Sequence, residues 1–506
     1  MTQNDIQQIL QHGLTPEQVE NQLVNFITGF PFTHIVAPAT IDNKGIMAFS
    51  SQQEDDYIKY YIDNSNKHSI LKFVPASGAA TRMFKDLFSF SGEYVGLQYT
   101  LKNYPEVQKT INNLSSFAFY DALKEAFLSH KVELEDYLES KDYATIVNYI
   151  LGEIGLDYGK KPKALILFHK YDSEQRKARL AIEEHFVEAP HYAKQEGGKV
   201  DIHFTVSAQH LDSIKQAVKQ IKPYYESAFS VSYNISYSLQ KPSTDTVAAD
   251  EQGDLFHDQN GDIIFRPAGH GALIENLNDC KGDIIFIKNI DNVAHDKIKS
   301  DTYKYKQLLG GVLLQTQERV FCVLRLLDKQ TISEEELQIV CDLCQELGIF
   351  LTQAEKQDIS ALRQCLNRPI RVCGMVKNEG EKGGGPFWVE KDGKKSLQIV
   401  ETAQINLKNI EQEEIFNNST HFNPVDLVCG VKNYKGENFD LPAFVDQNSG
   451  LISQKSYDGI AIQAQEKTGL WNGAMAGWIT LFVQVPLDTF TPVKTVNDLL
   501  RKEHQE

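Results

Sequence analysis

Strand and helix patterns alternate along much of this chain, and this alternation constrains its fold more than any other feature. The run 283–287 is apolar after its first residue, which is typical of a strand covered on both faces of a sheet. Because strands that alternate with helices favour parallel pairing, the sequence predicts an α/β fold with a mixed, mostly parallel, doubly wound sheet. The predicted strands are 70–74, 163–168, 201–206, 230–239 and 283–287, and the predicted helices are 173–188, 211–221 and 270–278.

The distribution of these patterns divides the 506 residues into four segments. Residues 1–68 form an N-terminal helical segment, in which Thr15-Pro16 followed by Gln18 predicts a helix start. Residues 69–300 form the α/β core, interrupted by a helical insertion at about 100–158. Residues 301–367 are again helical, with a second helix start at Ser333, and residues 368–506 are rich in strands and glycine turns.

Charge and cysteine content restrict the expected partners and location. The formal net charge is -17 at pH 7, and an acidic surface repels nucleic acids and anionic membranes. Residues 1–13 are polar and no run of about eighteen apolar residues occurs, so neither a signal peptide nor a membrane span is expected. Seven scattered cysteines favour a reducing cytoplasm, and the pair Cys341 and Cys344 lies within a helical pattern rather than in a metal motif.

The loop after the first predicted strand carries the strongest functional signal. Its small residues place backbone N–H groups next to the start of a helix, where an anion such as phosphate is stabilised. Thr81 adds a hydroxyl, Arg82 adds a guanidinium that can pair with phosphate through two bonds, and Lys85 follows one helical turn later. The predicted phosphate-binding residues of this loop are Ser77, Gly78, Ala79, Ala80, Thr81, Arg82 and Lys85.

The segment 73–83, Phe-Val-Pro-Ala-Ser-Gly-Ala-Ala-Thr-Arg-Met, resembles a signature of sugar-nucleotide pyrophosphorylases. That signature reads L-x-x-G-x-G-T-R followed by Leu or Met, and in those enzymes it holds the triphosphate of the nucleotide. Ala80 stands where the signature has its second glycine. The chain as a whole is identified as a member of a bacterial domain-of-unknown-function family that resembles UDP-sugar pyrophosphorylases, which have a GT-A-like fold.

Further blocks extend this resemblance from about residue 70 to about residue 500, in the same order as in those enzymes. Pro162-Lys163 resembles a Pro-Lys pair whose lysine contacts phosphate. Arg266-Pro267-Ala268-Gly269-His270-Gly271 is similar to a P-x-G-H-G block near the base and ribose, which implies nucleotide contacts for Gly269, His270 and Gly271. Gln240 resembles a glutamine near the nucleotide, Glu401 and Asn423 resemble residues that hydrogen-bond the sugar, and Lys494 resembles a lysine that reaches phosphate.

A magnesium site is implied at Asp291. The segment 288–292 follows the predicted strand 283–287, and polar residues at that end of a buried strand are where open α/β sheets place their ligands. In the pyrophosphorylases a similar N-x-D-N segment carries an acidic residue near the diphosphate and its Mg²⁺. Because Mg²⁺ takes one or two protein carboxylates and completes its shell with phosphate and water, one aspartate is compatible with this role.

The resemblance implies a nucleotidyltransferase that makes or cleaves a nucleotide sugar from a nucleoside triphosphate and a sugar 1-phosphate, with Arg82, Lys163 and Lys494 as catalytic residues. Two alternatives are a glycosyltransferase on the same fold and a non-catalytic protein that binds nucleotide sugars. The geometric prediction is that strand 70–74 and strand 283–287 are parallel members of one sheet and that the helical insertion packs outside it. The side chains predicted to line one cleft are those of Arg82, Gly269, His270, Asp291, Glu401, Asn423 and Lys494.

Overall fold

A computed structural model describes residues 1–93, 101–171, 177–380, 383–422 and 426–506. Its helices are α1 (Gln3–His12), α2 (Pro16–Thr28), α3 (Ser51–Asn64), α4 (Lys85–Glu93), α5 (Pro105–Asn112), α6 (Tyr120–Ser129), α7 (Leu134–Glu139), α8 (Tyr143–Leu151), α9 (Ala181–Tyr192), α10 (Leu211–Phe229), α11 (Ile274–Asn278), α12 (Lys299–Leu326), α13 (Glu334–Glu346), α14 (Ile359–Leu366) and α15 (Ile410–Asn417).

The described strands are numbered in the same way along the chain. They are β1 (Ile35–Pro38), β2 (Ile70–Pro75), β3 (Leu167–Lys170), β4 (Ala178–Leu180), β5 (Lys199–Val206), β6 (Ser232–Leu239), β7 (Thr246–Ala249), β8 (Phe265–Arg266), β9 (Ile284–Lys288), β10 (Ile370–Lys377), β11 (Gly385–Lys391), β12 (Lys394–Val400), β13 (His421–Phe422), β14 (Asp426–Gly430), β15 (Gly450–Tyr457), β16 (Ile460–Lys467) and β17 (Ile479–Gln484).

Local sequence explains where several of these helices begin. Thr15 caps α2 with its side chain, Gln18 bonds back to the Thr15 amide, and Pro16 occupies the first turn, as predicted. Ser333 and Glu336 form the same reciprocal cap at the start of α13. Cys341 and Cys344 both lie on α13 as free thiols, which confirms the prediction of a helical face.

The chain divides into two compact units, each made of three stretches of sequence. The first unit contains 1–71, 238–286 and 307–485, and the second contains 72–237, 287–306 and 486–506. Strands β2 and β9 each begin in the first unit and end in the second. The four segments expected from the sequence are each contiguous, whereas each of these units is made of separate stretches. The two units therefore do not test the division into four segments, which stays a prediction.

Antiparallel pairing dominates the first unit. One sheet has the order β13-β10-β14-β9-β2, in which β10 runs antiparallel to β13 and β14 and parallel to β17. Two further sheets have the orders β1-β11-β12 and β15-β16-β7-β8. The hairpins β11-β12 and β15-β16 turn at Asp392-Gly393 and Asp458-Gly459, where both residues have positive φ, as tight hairpins require.

The second unit contains the strand order β9-β2-β5-β6 and a large apolar core. Strands β2 and β9 are parallel, as predicted, because the Ser69 carbonyl accepts from the Asp283 amide (2.8 Å) and the Pro75 carbonyl accepts from the Ile290 amide (3.1 Å). The chain is therefore a mixed α/β protein with several sheets. Helices α5 to α8 of the predicted insertion contribute buried side chains such as Phe127 to this core.

Two predicted elements of the second unit are wrong in their bounds. The predicted strand 163–168 begins with a 3₁₀ turn at Lys163–Leu165, and its strand is the later β3. The predicted helix 173–188 begins only at Ala181, because β4 pairs antiparallel with β3 first; residues 172–176 lie outside the described residues. Strand pairing of this kind depends on a partner segment and overrides the local helical pattern.

Candidate functional site

The loop that follows β2 presents three consecutive main-chain amides for which the structure provides no acceptor. Among the described residues, no oxygen accepts a hydrogen bond from the amides of Ser77, Gly78 or Ala79, although Gly78 and Ala79 are exposed. Unpaired amides in succession form a concave donor surface that suits an anion. We call these three residues the amide loop.

Ala80 does not disturb this surface. Its φ is not positive, so the backbone there does not need glycine, and the side chain is fully buried in the core of the unit. A Cβ added at Gly78 would meet nothing within 4 Å, which shows that the amide loop faces open space. The replacement of the signature glycine by Ala80 is therefore sterically accommodated in this fold.

Backbone hydrogen bonds connect the amide loop to the segment that carries Lys163. The Ala80 amide donates to the Lys161 carbonyl, and the Lys163 amide donates to the Gly78 carbonyl, both at 3.3 Å. Ala79 and Pro162 form an isolated antiparallel bridge between these two bonds. The predicted Pro-Lys pair thus lies directly beside the loop, although more than eighty residues separate them in sequence.

Lys163 and Asp291 form a buried ion pair next to this loop. The Lys163 ammonium donates to Asp291 Oδ2 (2.7 Å) and to the Val493 carbonyl (2.8 Å). Lys494 Nζ lies 3.8 Å from the same carboxylate oxygen, and 65% of the Lys494 side chain is exposed. Lys163 therefore holds Asp291 and the 493–494 segment in place, whereas Lys494 can turn towards a ligand.

Arg82 and Lys85, two cations of the predicted phosphate-binding motif, both have exposed side chains. Arg82 ends the 3₁₀ turn Ala80–Arg82, and among the described residues neither side chain has a hydrogen bond or an ion pair. The next residue, Met83, accepts a backbone hydrogen bond from the Val496 amide (3.0 Å). Arg82 thus has a guanidinium without a partner among the described residues, one residue before the Met83–Val496 bond that anchors the segment of Lys494.

A buried charge network fixes the strand ends that support Asp291. Glu188 accepts from Lys72 (2.5 Å), Lys288 (3.1 Å) and the Tyr192 hydroxyl (2.9 Å). Burial alone would raise the pKa of Glu188, but the charges of Lys288 and Lys72 outweigh it and hold that pKa well below the ordinary value. Burial lowers the pKa of Lys72 to about 7 against the opposing attraction of Glu188.

This network reaches the Asp291 loop through one histidine. His185 Nε2 lies 3.3 Å from the Ile290 carbonyl, and the Ile290 amide donates to the Pro75 carbonyl at the end of β2. Burial lowers the pKa of His185 well below its ordinary value, so the ring is neutral at physiological pH and donates from Nε2. The strand that leads into the amide loop and the strand that leads to Asp291 are therefore bound to one another at their carboxyl ends.

The segment that carries Lys494 is fixed by polar contacts on the C-terminal side of this residue. Asn497 bonds to Thr110 and to Glu106 of α5, each at 2.9 Å or less. Further on, His504 Nδ1 lies 2.9 Å from His169 Nε2, and His169 Nδ1 lies 2.8 Å from Glu184. These buried contacts explain how residues far apart in sequence bring Lys494 to Asp291.

Five other predicted residues lie in the first unit, and most of them gather around residues 467–472. Cβ atoms added at Gly269 and Gly271 would meet the Lys467 and Thr468 carbonyls at 3.8 and 2.0 Å, so Gly271 packs tightly against that backbone. The His270 ring lies 6.1 Å from the Trp471 ring. Gln240 bonds to Asp245 (3.4 Å), whose charge lies close enough to act on Lys467.

Glu401 belongs to the same group. Burial raises its pKa, although hydrogen bonds from the Gly469 amide and the Asn472 side chain oppose that shift. Trp471 was not predicted from the sequence; its indole Nε1 is buried and has no hydrogen-bond partner among the described residues. A tryptophan next to glycines is a weak sequence signal, because only the folded chain brings the Trp471 ring near His270.

The structure thus gathers the predicted residues into two groups, one in each unit. The group in the second unit contains the amide loop, Arg82, Lys163, Asp291 and Lys494, and the group in the first unit contains Gln240, Gly269, His270, Gly271 and Glu401. Asn423 lies outside the described residues. The expectation of one shared cleft stays a prediction.

The surroundings of Asp291 test the predicted magnesium site. Two ammonium groups, those of Lys163 and Lys494, already lie within 2.7 and 3.8 Å of Asp291 Oδ2 and oppose a second cation there. Throughout the described ranges, no group of three or more His, Cys, Asp and Glu side chains could hold a metal ion. Protein donors alone therefore do not fit a resident Mg²⁺, and phosphate oxygens would have to supply most of its ligands.

No helix in the described part of the chain is both long and apolar enough to cross a membrane.

Solved structures similar to this chain include those of two pyrophosphorylases and one phosphorylase. The uridine diphosphate N-acetylglucosamine pyrophosphorylase from Trypanosoma brucei is 12% identical, with a TM-score of 0.48 over 99% of this chain and 84% of that one. A mutant UDP-glucose pyrophosphorylase from Leishmania major is 13% identical, with a TM-score of 0.44 over 98% and 78%. A UDP-glucose phosphorylase from Trypanosoma brucei is 11% identical, with a TM-score of 0.43 over 99% and 80%.

Identities and TM-scores this low assign no activity to the chain. No curated protein matches it in sequence. One family model, described as a domain of unknown function (DUF4301), matches residues 2–505, which is nearly the whole length. The chain therefore belongs to the DUF4301 family.

Proposed function

We propose that this protein is a nucleotidyltransferase that makes or cleaves a nucleotide sugar from a nucleoside triphosphate and a sugar 1-phosphate. The observation that carries the proposal is the amide loop, with three unpaired amides beside the uncommitted Arg82 and the exposed Lys494. Amides and flexible cations together offer a polyphosphate both hydrogen bonds and neutralising charge. In a chain with a net charge of -17, such a locally basic surface is what a phosphate ligand needs.

The proposed reaction requires positioning and charge neutralisation rather than a protein nucleophile. An oxygen of the sugar phosphate attacks the α-phosphorus in line, and the bond from that phosphorus to the departing pyrophosphate breaks. Arg82 and the amide loop would stabilise the charge on the pyrophosphate, and Lys494 would neutralise the α-phosphate or the sugar phosphate. Lys163 would act through Asp291 and Val493 as a positioning residue, since its ammonium is already bonded to both.

The sugar and base would be held by the second group of residues. Glu401 is a half-buried carboxylate with a raised pKa, which suits it to bond a sugar hydroxyl, and Asn423 shares this role by resemblance. Gln240, Gly269, His270 and Gly271 would lie near the nucleoside. The doubly wound GT-A-like sheet is part of the proposal, and so is a Mg²⁺ for which Asp291 would supply one carboxylate and which would neutralise phosphate charge.

A non-catalytic protein that binds nucleotide sugars is the second candidate. The Lys163 ammonium is bonded to Asp291 and to the Val493 carbonyl, whereas the corresponding lysine in the pyrophosphorylases contacts phosphate. A lysine that is not available for phosphate favours this second candidate. Incubation with each nucleoside triphosphate and a panel of sugar 1-phosphates, with pyrophosphate release as the readout, separates the two candidates. Transfer of the sugar to an acceptor without pyrophosphate release would instead identify a glycosyltransferase.

Arg82→Ala tests the phosphate site itself. Because Arg82 is exposed and has no partner among the described residues, we expect the free energy of unfolding to stay within about 0.5 kcal/mol of the wild-type value. Loss of a charged hydrogen bond should weaken nucleoside triphosphate binding by about 1.5–3 kcal/mol, measured by titration calorimetry. Arg501→Ala is the matched control, since Arg501 of the same unit is already paired with Asp498 at 2.7 Å. Equal affinities for all three proteins would contradict the assignment.

A further inference from the structure

A cavity in the first unit is lined by a half-buried arginine, Arg368, that pairs with no carboxylate of the described residues. The cavity has a volume of about 1340 Å³ and lies between residues of α14, β11, β12 and the segment 443–480. Arg368 lines it and is largely withdrawn from water. Its Nε donates to the Cys365 carbonyl (2.7 Å) and its Nη1 to the Gly477 carbonyl (3.3 Å).

No carboxylate of the described residues pairs with Arg368. Its guanidinium interacts electrostatically with the thiols of Cys365 and Cys344 and with the ammonium of Lys394, which has the same sign. Burial lowers the pKa of Arg368, but an arginine stays charged in proteins. Because no carboxylate of the described residues pairs with Arg368, an anion that enters the cavity can form a charged hydrogen bond with its guanidinium.

A second arginine, Arg371, bonds to a residue of the cavity wall. Arg371 is fully buried, and its Nε donates to the hydroxyl of Thr480, a residue that lines the cavity. Its Nη2 has no hydrogen-bond partner among the described residues, and none of their carboxylates pairs with it. The Arg371 guanidinium therefore lies behind the cavity wall, next to Thr480, whereas Arg368 itself lines the cavity.

The other lining residues indicate what accompanies the anion. Phe32 and Phe350 line the cavity with 60% and 52% of their surfaces exposed, and the Phe350 ring packs against Trp388 at 5.7 Å. The volume exceeds the roughly 300–1,000 Å³ of ordinary small-molecule pockets, so an apolar body fits together with a charged group. We propose that this cavity binds a small organic anion, whose phosphate or carboxylate pairs with Arg368 and whose aromatic body lies against Phe32 and Phe350.

The cavity is distinct from the proposed nucleotide site but adjoins its sugar-binding group. Gln404 and Asn472 line it and are bonded to one another at 2.5 Å. Asn472 also bonds to the side chain of Glu401. Asn472 therefore connects the cavity wall to Glu401. Binding of an anion in the cavity does not depend on Arg82 or Lys494, which do not line it.

Tryptophan fluorescence of the full chain tests the proposal, because Trp478 lines the cavity. The probes are phenyl phosphate and benzoate, with neutral benzyl alcohol as the control. We expect saturable quenching by at least one of the two anions, and the tighter one identifies the anionic group. Arg368→Gln should weaken that binding by about tenfold or more, whereas Arg82→Ala should leave it unchanged.

Arg363→Gln is the matched control, since Arg363 also lines the cavity but is already paired with Asp328 and bonded to Tyr434. We expect less than about a threefold change for it. If Arg368→Gln fails to fold, protection of Arg368 in the wild-type chain from phenylglyoxal, read by mass spectrometry, replaces it. Each of four results would overturn the proposal. These are binding of benzyl alcohol as tight as that of the anions, an equal loss of anion affinity in Arg368→Gln and Arg363→Gln, no saturable quenching, and no protection of Arg368 from phenylglyoxal.

Discussion

Replacing Asp291 by asparagine distinguishes two roles of this carboxylate, because they predict opposite changes in phosphate affinity. As a charge partner of Lys163 and Lys494, Asp291 offsets positive charge that a phosphate would otherwise meet. Its neutralisation should therefore strengthen the binding of pyrophosphate in the absence of metal. As a ligand of Mg²⁺, Asp291 would instead support the metal-dependent part of binding, and its neutralisation should weaken that part.

The size of the first effect follows from the distances. A phosphate bonded to Lys494 would lie roughly 5–7 Å from Asp291, where unit charges at an effective dielectric of about 40 repel by about 1.2–1.7 kcal/mol. Removing this repulsion should raise the affinity by roughly 7- to 16-fold. Stability should fall by about 3 kcal/mol, the low end for a broken buried ion pair, because about a tenth of each side chain is exposed and the Val493 carbonyl remains bonded to Lys163.

Titration calorimetry with pyrophosphate, with and without Mg²⁺, measures both affinities. Asp488→Asn is the matched control, since it removes the same charge from an exposed position on the segment 486–506, and we expect no change there. A folded Asp291→Asn variant that binds metal-free pyrophosphate no better than the wild type would refute the electrostatic reasoning. An unchanged Mg²⁺ dependence would show that Asp291 does not hold the metal.

The remaining predictions concern buried carboxylates. Glu188→Gln leaves Lys72 and Lys288 without a counter-charge and should lower the free energy of unfolding by about 3–5 kcal/mol in urea denaturation at pH 7; a loss below about 1 kcal/mol would show that the network is not coupled. Because the folded pKa of Glu188 is depressed, its contribution to the free energy of unfolding is present above about pH 4.5 and is lost as the pH falls below that value. The difference in stability between the wild type and Glu188→Gln should therefore shrink on acidification. The folded pKa of Glu401 is raised by burial, so the charged carboxylate lowers stability as the pH rises above about 4.5. Glu401→Gln should therefore be more stable than the wild type at pH 7 but should bind nucleotide sugar more weakly. Unaltered binding would show that Glu401 is not part of the site.

The sequence predicts the part of the site that follows from local patterns. The strand 70–74, the loop after it and the strand 283–287 are recognisable because each is a short apolar run followed by small or polar residues. Their parallel pairing follows from the helices between them, and the structure confirms it. The capped helix starts at Thr15 and Ser333 are equally local and are also confirmed.

Long-range pairing limits what the sequence can predict. The pairing of β4 with β3, which displaces the start of α9, depends on a partner strand and has no signature of its own. The same holds for Lys163, whose sequence context predicts a phosphate contact although its ammonium is bonded to Asp291 and to the Val493 carbonyl. The amides of the amide loop lack acceptors because of how the surrounding chain folds. This property cannot be predicted from residue type.

The discontinuous second unit has a consequence for the order in which the protein is synthesised. This unit is completed only by the stretch 486–506, which follows Tyr237 by roughly 250 residues. At about 5–20 residues per second, a ribosome needs roughly 12–50 s to cover that interval. Throughout it the nascent chain has made the amide loop and Lys163 but not Val493 or Lys494, and the buried His169 has no His504 to meet. Ribosome-bound intermediates of this protein are therefore expected to expose an unfinished core to chaperones until the stretch 486–506 has been synthesised.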